Sequence, residues 1–177
     1  PLGAANKTRY GHYEADTVVS GKKTGSKEAL SAMYERKAKY IVAKKIKDLK
    51  PRSNNWAIAA MQRELVYKSM TMDNGIENTK YEELGIPTFF CDPYSSWQKG
   101  GVENANKMIR RCFPKRTDFA DVLQEDVDRV VSIINSKPRK SLGYKKPWEV
   151  MKQHNLLVEQ DASIRYKLSN PLVALRG

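Results

Sequence analysis

The stretch YGHYEADTVVS, residues 10–20, decides the fold. Its β-branched and aromatic residues, with His12, Glu14, Asp16 and Val18 alternating onto one face, read as a strand. Asp16 then sits mid-strand among Ala15, Thr17, Val18 and Val19. An acid in that setting is costly unless it is paired or bound to a cation. Downstream, residues 21–26 form a Gly/Lys turn. EALSAMY (28–34) and KYIVAKKI (39–46) read as two further strands around the charged turn 35–38. The three strands predict an antiparallel meander.

The pattern then changes. Ser53 or Asn54 can cap a helix running to about Val66, with Trp56, Ala59, Ala60 and Arg63 spaced by three and four. Met70-Thr71-Met72 reads as a short strand ending at Asp73-Asn74-Gly75, a strong turn signal. Residues 78–84 suit a short helix closed by Gly85, and residues 86–90 another strand. Helices follow at about 97–112, 124–136 and 147–154, punctuated by Pro138 and Pro147. Three strands followed by α/β alternation predict an α/β fold, a mixed five-stranded sheet flanked by helices.

A chain of 177 residues is long enough for one domain with its own core. Residues 1–9 read as a cleavage scar or linker, 10–154 as the core, and 155–177 as a C-terminal extension. Thirty-two basic against twenty acidic residues leave a net charge of +12, which points to a polyanionic partner. Nucleic acid leads over a membrane surface, because there is no apolar span and no basic helix with a wide apolar face. Cys91 and Cys112 are isolated, and His12 and His154 lie far apart in sequence, so a zinc site is not expected. No small-molecule substrate is indicated.

Three acids stand in unusual places: Asp16 mid-strand, Asp73 at a strand end, and Glu103 at the head of a basic helix after Gly100-Gly101. Each has an ordinary reading. Asp16 could pair with a buried cation, Asp73 could be a plain turn residue, and Glu103 a first-turn acid favoured by the helix dipole. Glu14 and Asp92 are further acids nearby in sequence. Jointly, the three could converge on one sheet edge as an all-oxygen site suited to Mg²⁺ or Mn²⁺. Such a site fits two-metal phosphoryl transfer.

Several stretches carry a family resemblance: GHYEADTV (11–18), YERKAKY (34–40), SMTMDNGIEN (69–78), FFCDPYSSWQKGGVENANKMIRRCFPKRTDF (89–119) and INSKPRKSLGYKKPWEV (134–150). Together they resemble the catalytic core of bacterial insertion-sequence transposases of the IS-thirty type, in the integrase/transposase superfamily. The resemblance implies a ribonuclease-H-like fold and an Asp16, Asp73, Glu103 triad holding two divalent cations, Mg²⁺ or Mn²⁺. It also implies DNA cleavage at element ends followed by 3′-hydroxyl strand transfer into target DNA. The expected setting is the bacterial cytoplasm at the nucleoid, with self-association on DNA. A nuclease without strand transfer and an inactive DNA-binding module are the alternative readings. Asp73 and Glu103 are 103 − 73 = 30 residues apart, somewhat short for the family, and Asn78 stands where an aromatic is usual. Gly100 and Gly101 are expected to let the chain turn beside DNA. Asn106, Lys107 and Arg110 share the Glu103 side of the helix and are expected on phosphates, with Lys99 and Arg111 contributing. Tyr94 and Trp97 are candidates for base stacking, and residues 138–146 for a second basic surface.

Overall fold

The computed structural model describes residues 8–92 and 99–158. β1 (His12–Val19), β2 (Ala29–Glu35) and β3 (Ile41–Ile46) form the antiparallel meander. β4 (Ser69–Met72) lies parallel to β1 on its other side, and β5 (Thr88–Phe90) is parallel to β4. The five-stranded sheet therefore has the order β3-β2-β1-β4-β5. The parallel pairs arise because a crossover, not a hairpin, carries the chain from β3 to β4 and from β4 to β5.

Among the described residues, four helices cover the sheet: α1 (Pro51–Gln62), α2 (Gly100–Cys112), α3 (Gln124–Asn135) and α4 (Pro147–Gln153). Period-two alternation divides the strands between two cores. Val18, Leu30, Ala32, Tyr34, Ile41 and Ala43 face α2 and α3, meeting Val102, Ala105, Ile109, Val127, Val131 and Ile134. On the opposite face, Tyr13, Ala15, Met33, Met70 and Met72 meet Ile58 and Met61 of α1 and Val150 and Met151 of α4. β2 is buried along its whole length. Its small residues Ala29, Ser31 and Ala32 leave room for helices on both sides.

β3 is an edge strand, yet four of its outward backbone groups are met by two amides of α3. Asn135 accepts from Ile41 N–H (3.0 Å) and donates to Ile41 O (2.7 Å). Gln124 accepts from Lys45 N–H (2.8 Å) and donates to Ala43 O (3.2 Å). Unpaired edges template unwanted pairing, and here side chains occupy the template.

α1 departs from the sequence expectation. It begins at Pro51, whose fixed φ and missing N–H suit the first turn, and it ends at Gln62. Ser53 does not cap it; its hydroxyl donates to Asp48 Oδ1 (2.6 Å). The inward stripe is Asn54, Asn55, Ala57, Ile58, Met61 and Gln62, while Trp56 is 65% exposed. The periodicity through Trp56 and Arg63 took the large apolar ring as the inner face. Buried amides occupy that face because they hold the segment after β4: Asn55 Nδ2 donates to Lys80 O (2.8 Å). That segment forms two 3₁₀ turns, Ile76–Asn78 and Tyr81–Leu84, rather than one helix, and Gly85 closes the second in a left-handed conformation (φ 65°).

Beyond α4, Leu156 is buried in the same core as α1, and its carbonyl accepts from Val66 N–H (2.8 Å). Leu157 bridges to Leu65. The packed domain thus runs past residue 154, at least to Val158. Among the described residues, no helix is long and apolar enough to cross a membrane.

Candidate active site

The register of β1 on β4 pairs Glu14 with Thr71. Two residues further along both strands, Asp16 and Asp73 stand side by side at the carboxyl end of β4, where open α/β sheets place their sites. Asp16 projects to the α2 face with Glu14 and Val18. The two acids share a cation. Lys99 Nζ donates to Asp16 Oδ1 (3.2 Å) and to Asp73 Oδ2 (2.9 Å), and the Lys99 side chain is only 7% exposed. The paired, ordinary reading of Asp16 is thus the arrangement present here.

The remaining oxygen of each carboxylate is held by an amide. Asp16 Oδ2 accepts from Asn106 Nδ2 (2.8 Å). Asp73 Oδ1 accepts from Asn78 Nδ2 (2.9 Å) and from Gly75 N–H (3.2 Å). Asn78 is itself fixed by Asn54 of α1, whose Nδ2 donates to Asn78 Oδ1 (3.0 Å). One oxygen of each acid is therefore anchored and the other is turned to the shared cation.

These surroundings split the two acids electrostatically. Burial raises the Asp16 pKa, offset only in part by the charge and hydrogen bond of Lys99. Burial pushes Asp73 the same way, but the Lys99 hydrogen bond and charge outweigh it, helped by Gly75 and Asn78, and its pKa falls below the usual range. For Lys99, burial works against the charged form, yet Asp16 and Asp73 together hold its pKa above the ordinary lysine value.

The helix that carries Glu103 is anchored by Glu14. No local side chain caps α2. Glu14, fully buried on β1, instead accepts from Val102 N–H (2.8 Å) in the first turn. A carboxylate there satisfies an orphan donor and meets the positive end of the helix dipole. Its other oxygen lies 2.9 Å from Arg36 Nε, close enough for ion pairing although not aligned for a hydrogen bond.

Gly101 permits this approach. A Cβ there would come within 2.6 Å of Tyr34 Cδ1 and 2.8 Å of Glu14 Oε2. The close approach is thus to the protein's own sheet, whereas a Cβ at Gly100 would meet open space. Gly101→Ala should lift the first turn of α2 from β1 and β2. The overpacking should destabilise the fold by roughly 1–3 kcal/mol in urea denaturation, whereas Gly100→Ala should be far milder.

The sequence-selected cations are dispersed. Lys99 lies between the acids and Asn106 is on Asp16, as described. Arg110 donates to Val19 O and to Pro114 O (3.3 Å), with its guanidinium 5.6 Å from the Phe119 ring centroid, so it ties α2 to the end of β1. Lys107 and Arg111 are exposed on α2. Tyr94 and Trp97 lie outside the described residues. In the second basic stretch, Arg139 donates to Ile134 O (3.2 Å) and packs on Met108 Sδ (3.1 Å), while the Lys146 backbone N–H donates to Glu149 Oε2 (2.8 Å) at the start of α4.

Glu103, one turn before Asn106, is partly exposed on the same side of α2. Among the described residues, no three acidic, histidine or cysteine side chains stand close enough to hold one metal ion. The Asp16–Asp73 pair nevertheless fits a hard divalent cation. It offers two convergent carboxylate oxygens, each oriented by an amide, around a point where positive charge already sits.

No protein-family model matches the chain. It is 35% identical over 156 residues to the transposase InsI for insertion sequence element IS30A of Escherichia coli (strain K12), a match covering 84% of this chain and 39% of that protein. The transposase for insertion sequence element IS1086 of Cupriavidus metallidurans is 32% identical over 150 residues, covering 81% of this chain and 43% of that protein. The chain thus spans about two fifths of the length of these two transposases. In structure it is similar to the catalytic core domain of BIV integrase, with a TM-score of 0.64 and 17% identity. That superposition covers 82% of this chain and 95% of the other. The likeness shows the fold to be ribonuclease-H-like.

Proposed function

We propose that this chain is the catalytic core of a DNA transposase, which cleaves DNA at element ends with the aid of divalent cations and joins the freed 3′-hydroxyl to target DNA. The observation that carries the reading is the Asp16–Asp73 pair: two carboxylates, each with one oxygen anchored, turned to a shared cation beside a basic helix. The relatives' names support the same reaction class.

Asp16 and Asp73 would hold the metal ions, and Glu103 would complete the ligand set from the first turn of α2. Bound there, Mg²⁺ or Mn²⁺ would activate the attacking oxygen and stabilise the leaving one. Asn106 and Asn78 keep the carboxylates from rotating, so that the same oxygens stay turned inward through both steps. Lys99 neutralises the pair before loading. Once displaced, its ammonium is available to the DNA phosphate, and Lys107 and Arg111 meet the backbone further along α2. Assembly of two or more copies on DNA belongs to this reading, because joining two ends requires both to be held together.

The test is cleavage and joining of a labelled oligonucleotide carrying an element end, with Mn²⁺, with Mg²⁺ and with chelator. Joined products support the proposal. Nicks alone would indicate a nuclease, and DNA binding without any product an inactive module. Lys99→Met supplies an independent check without DNA. Removing an ammonium that competes for both carboxylates should tighten Mn²⁺ binding in calorimetry by roughly tenfold or more, since hydrogen bonds to charged groups contribute about 1.5–3 kcal/mol. Unchanged affinity would mean that Lys99 and the metal do not share a position.

A further inference from the structure

A second feature lies apart from the acidic pair. Between the end of β3 and the first turns of α1 runs a groove of about 570 Å³, lined by Lys45, Ile46, Lys47, Arg52, Ser53 and Trp56. The chain that builds it, KKIKDLKPR (44–52), carries five cations against one acid. That acid is committed: Asp48 accepts from Ser53 Oγ (2.6 Å) and Lys50 N–H (3.1 Å). Lys45 is committed as well, to Glu28 (3.1 Å) and Val122 O (2.5 Å). Lys47, Lys50 and Arg52 are exposed, and none forms an ion pair with a carboxylate of the described residues.

Trp56 stands one turn beyond Arg52 on the same side of α1 and is 65% exposed. The aliphatic neighbours are turned inward: Ile46 and Ala57 are buried together, with Leu49 packed against them. What remains at the surface is one indole ring among cations. A positively charged track with an aromatic platform is the combination that holds single-stranded nucleic acid, through phosphates on the cations and a base on the ring. A second copy of this chain is a poor occupant, because it too carries a net +12.

The groove also opens in the right place. Val19, Ala29 and Ile46 lie side by side across β1, β2 and β3. Ile46 therefore stands at the end of the sheet beside which Asp16 and Asp73 sit. Two strand spacings across and three residues along separate the backbones of Ile46 and Asp16 by about 14 Å, the groove lying on the α1 face and the Asp16 carboxylate on the α2 face of the same sheet end. That is less than half a turn of duplex, at roughly 34 Å per turn.

We propose that this groove binds a DNA strand with an unpaired base, its phosphates on Lys47 and Arg52 and the base stacked on Trp56, so that DNA is held open beside the acidic pair. The inference rests on the transposase reading, and its test separates the two. Binding of a fluorescein-labelled single strand would be followed by polarisation over a range of salt. Trp56→Ala should weaken it by roughly 5- to 150-fold, as loss of one stacked base does, and Trp56→Phe should restore most of it. Lys47→Glu with Arg52→Glu should flatten the dependence of log K on log salt by about 1.4, at roughly 0.7 per phosphate on a single strand. Thermal melts would confirm that each variant folds. If wild type binds and cleaves DNA while the folded groove variants bind single strands as wild type does, the groove proposal is overturned and the transposase reading stands. If wild type binds no DNA, both fall. If Trp56→Ala disperses an oligomer in sedimentation without changing DNA affinity, the face is a self-contact and the proposal is overturned.

Discussion

Asparagine in place of Asp73 is expected to lower metal-dependent strand cleavage by roughly 10³-fold while the chain stays folded. A catalytic metal is worth several kcal/mol of transition-state charge stabilisation, and each ~1.4 kcal/mol is a factor of ten in rate. The substitution keeps the shape and can still accept from Gly75 and Asn78, but it removes the charge that faces Lys99. Asp16→Asn should act alike, because both acids flank one cation. Glu103→Gln is the informative contrast, since in this conformation Glu103 stands apart from the pair. If it costs as much as Asp73→Asn, α2 must bring Glu103 to the pair during the reaction. Mn²⁺ calorimetry on all three variants separates lost metal from lost chemistry. Full activity of Asp73→Asn would remove the proposed site altogether.

The largest effect on stability is expected at Glu14. Glu14→Ala strips a buried arginine of its counter-charge and α2 of its first-turn acceptor at once. Breaking a buried ion pair from one side costs about 3–5 kcal/mol, a large part of the roughly 5–15 kcal/mol that holds a domain folded. Glu14→Gln retains an acceptor for Val102 N–H and should lose less. Combining Glu14→Ala with Arg36→Leu should recover part of the loss, because no buried charge is then stranded. Chemical denaturation of the single and double variants measures both terms. Near-additive losses would show that the 2.9 Å pair is not coupled.

Much of this architecture was legible in the sequence, for physical reasons that differ by element. β1, β2 and β3 could be read because strands facing two cores alternate or run apolar, and the turns between them carry Gly and charge. Asp16 and Asp73 could be singled out because an acid inside an apolar strand and an acid at a strand end are both costly or purposeful. Lys99 could not be placed. Four residues before Glu103 it looks like one more cation of a basic helix, and only the pairing of β1 with β4 creates the two carboxylates that draw it in. Asn78 looked like a departure from an aromatic position, but it is the side chain that orients Asp73 and links it to α1. Gly101 was read as letting the chain turn beside DNA, whereas the room it leaves is taken by the side chains of Tyr34 and Glu14. Trp56 misled because hydrophobic rings are expected inside. Here two buried amides took that face, since the turns after β4 needed donors more than the core needed an indole.

The amides that α3 lends to β3 have a consequence for assembly. A neighbouring copy cannot prolong the sheet on that side without first breaking four hydrogen bonds from Gln124 and Asn135. Strand pairing between copies is thereby confined to the other edge of the sheet, at β5. A ribbon of strands that grows from both sides of the sheet needs two free edges, and this fold offers one at most.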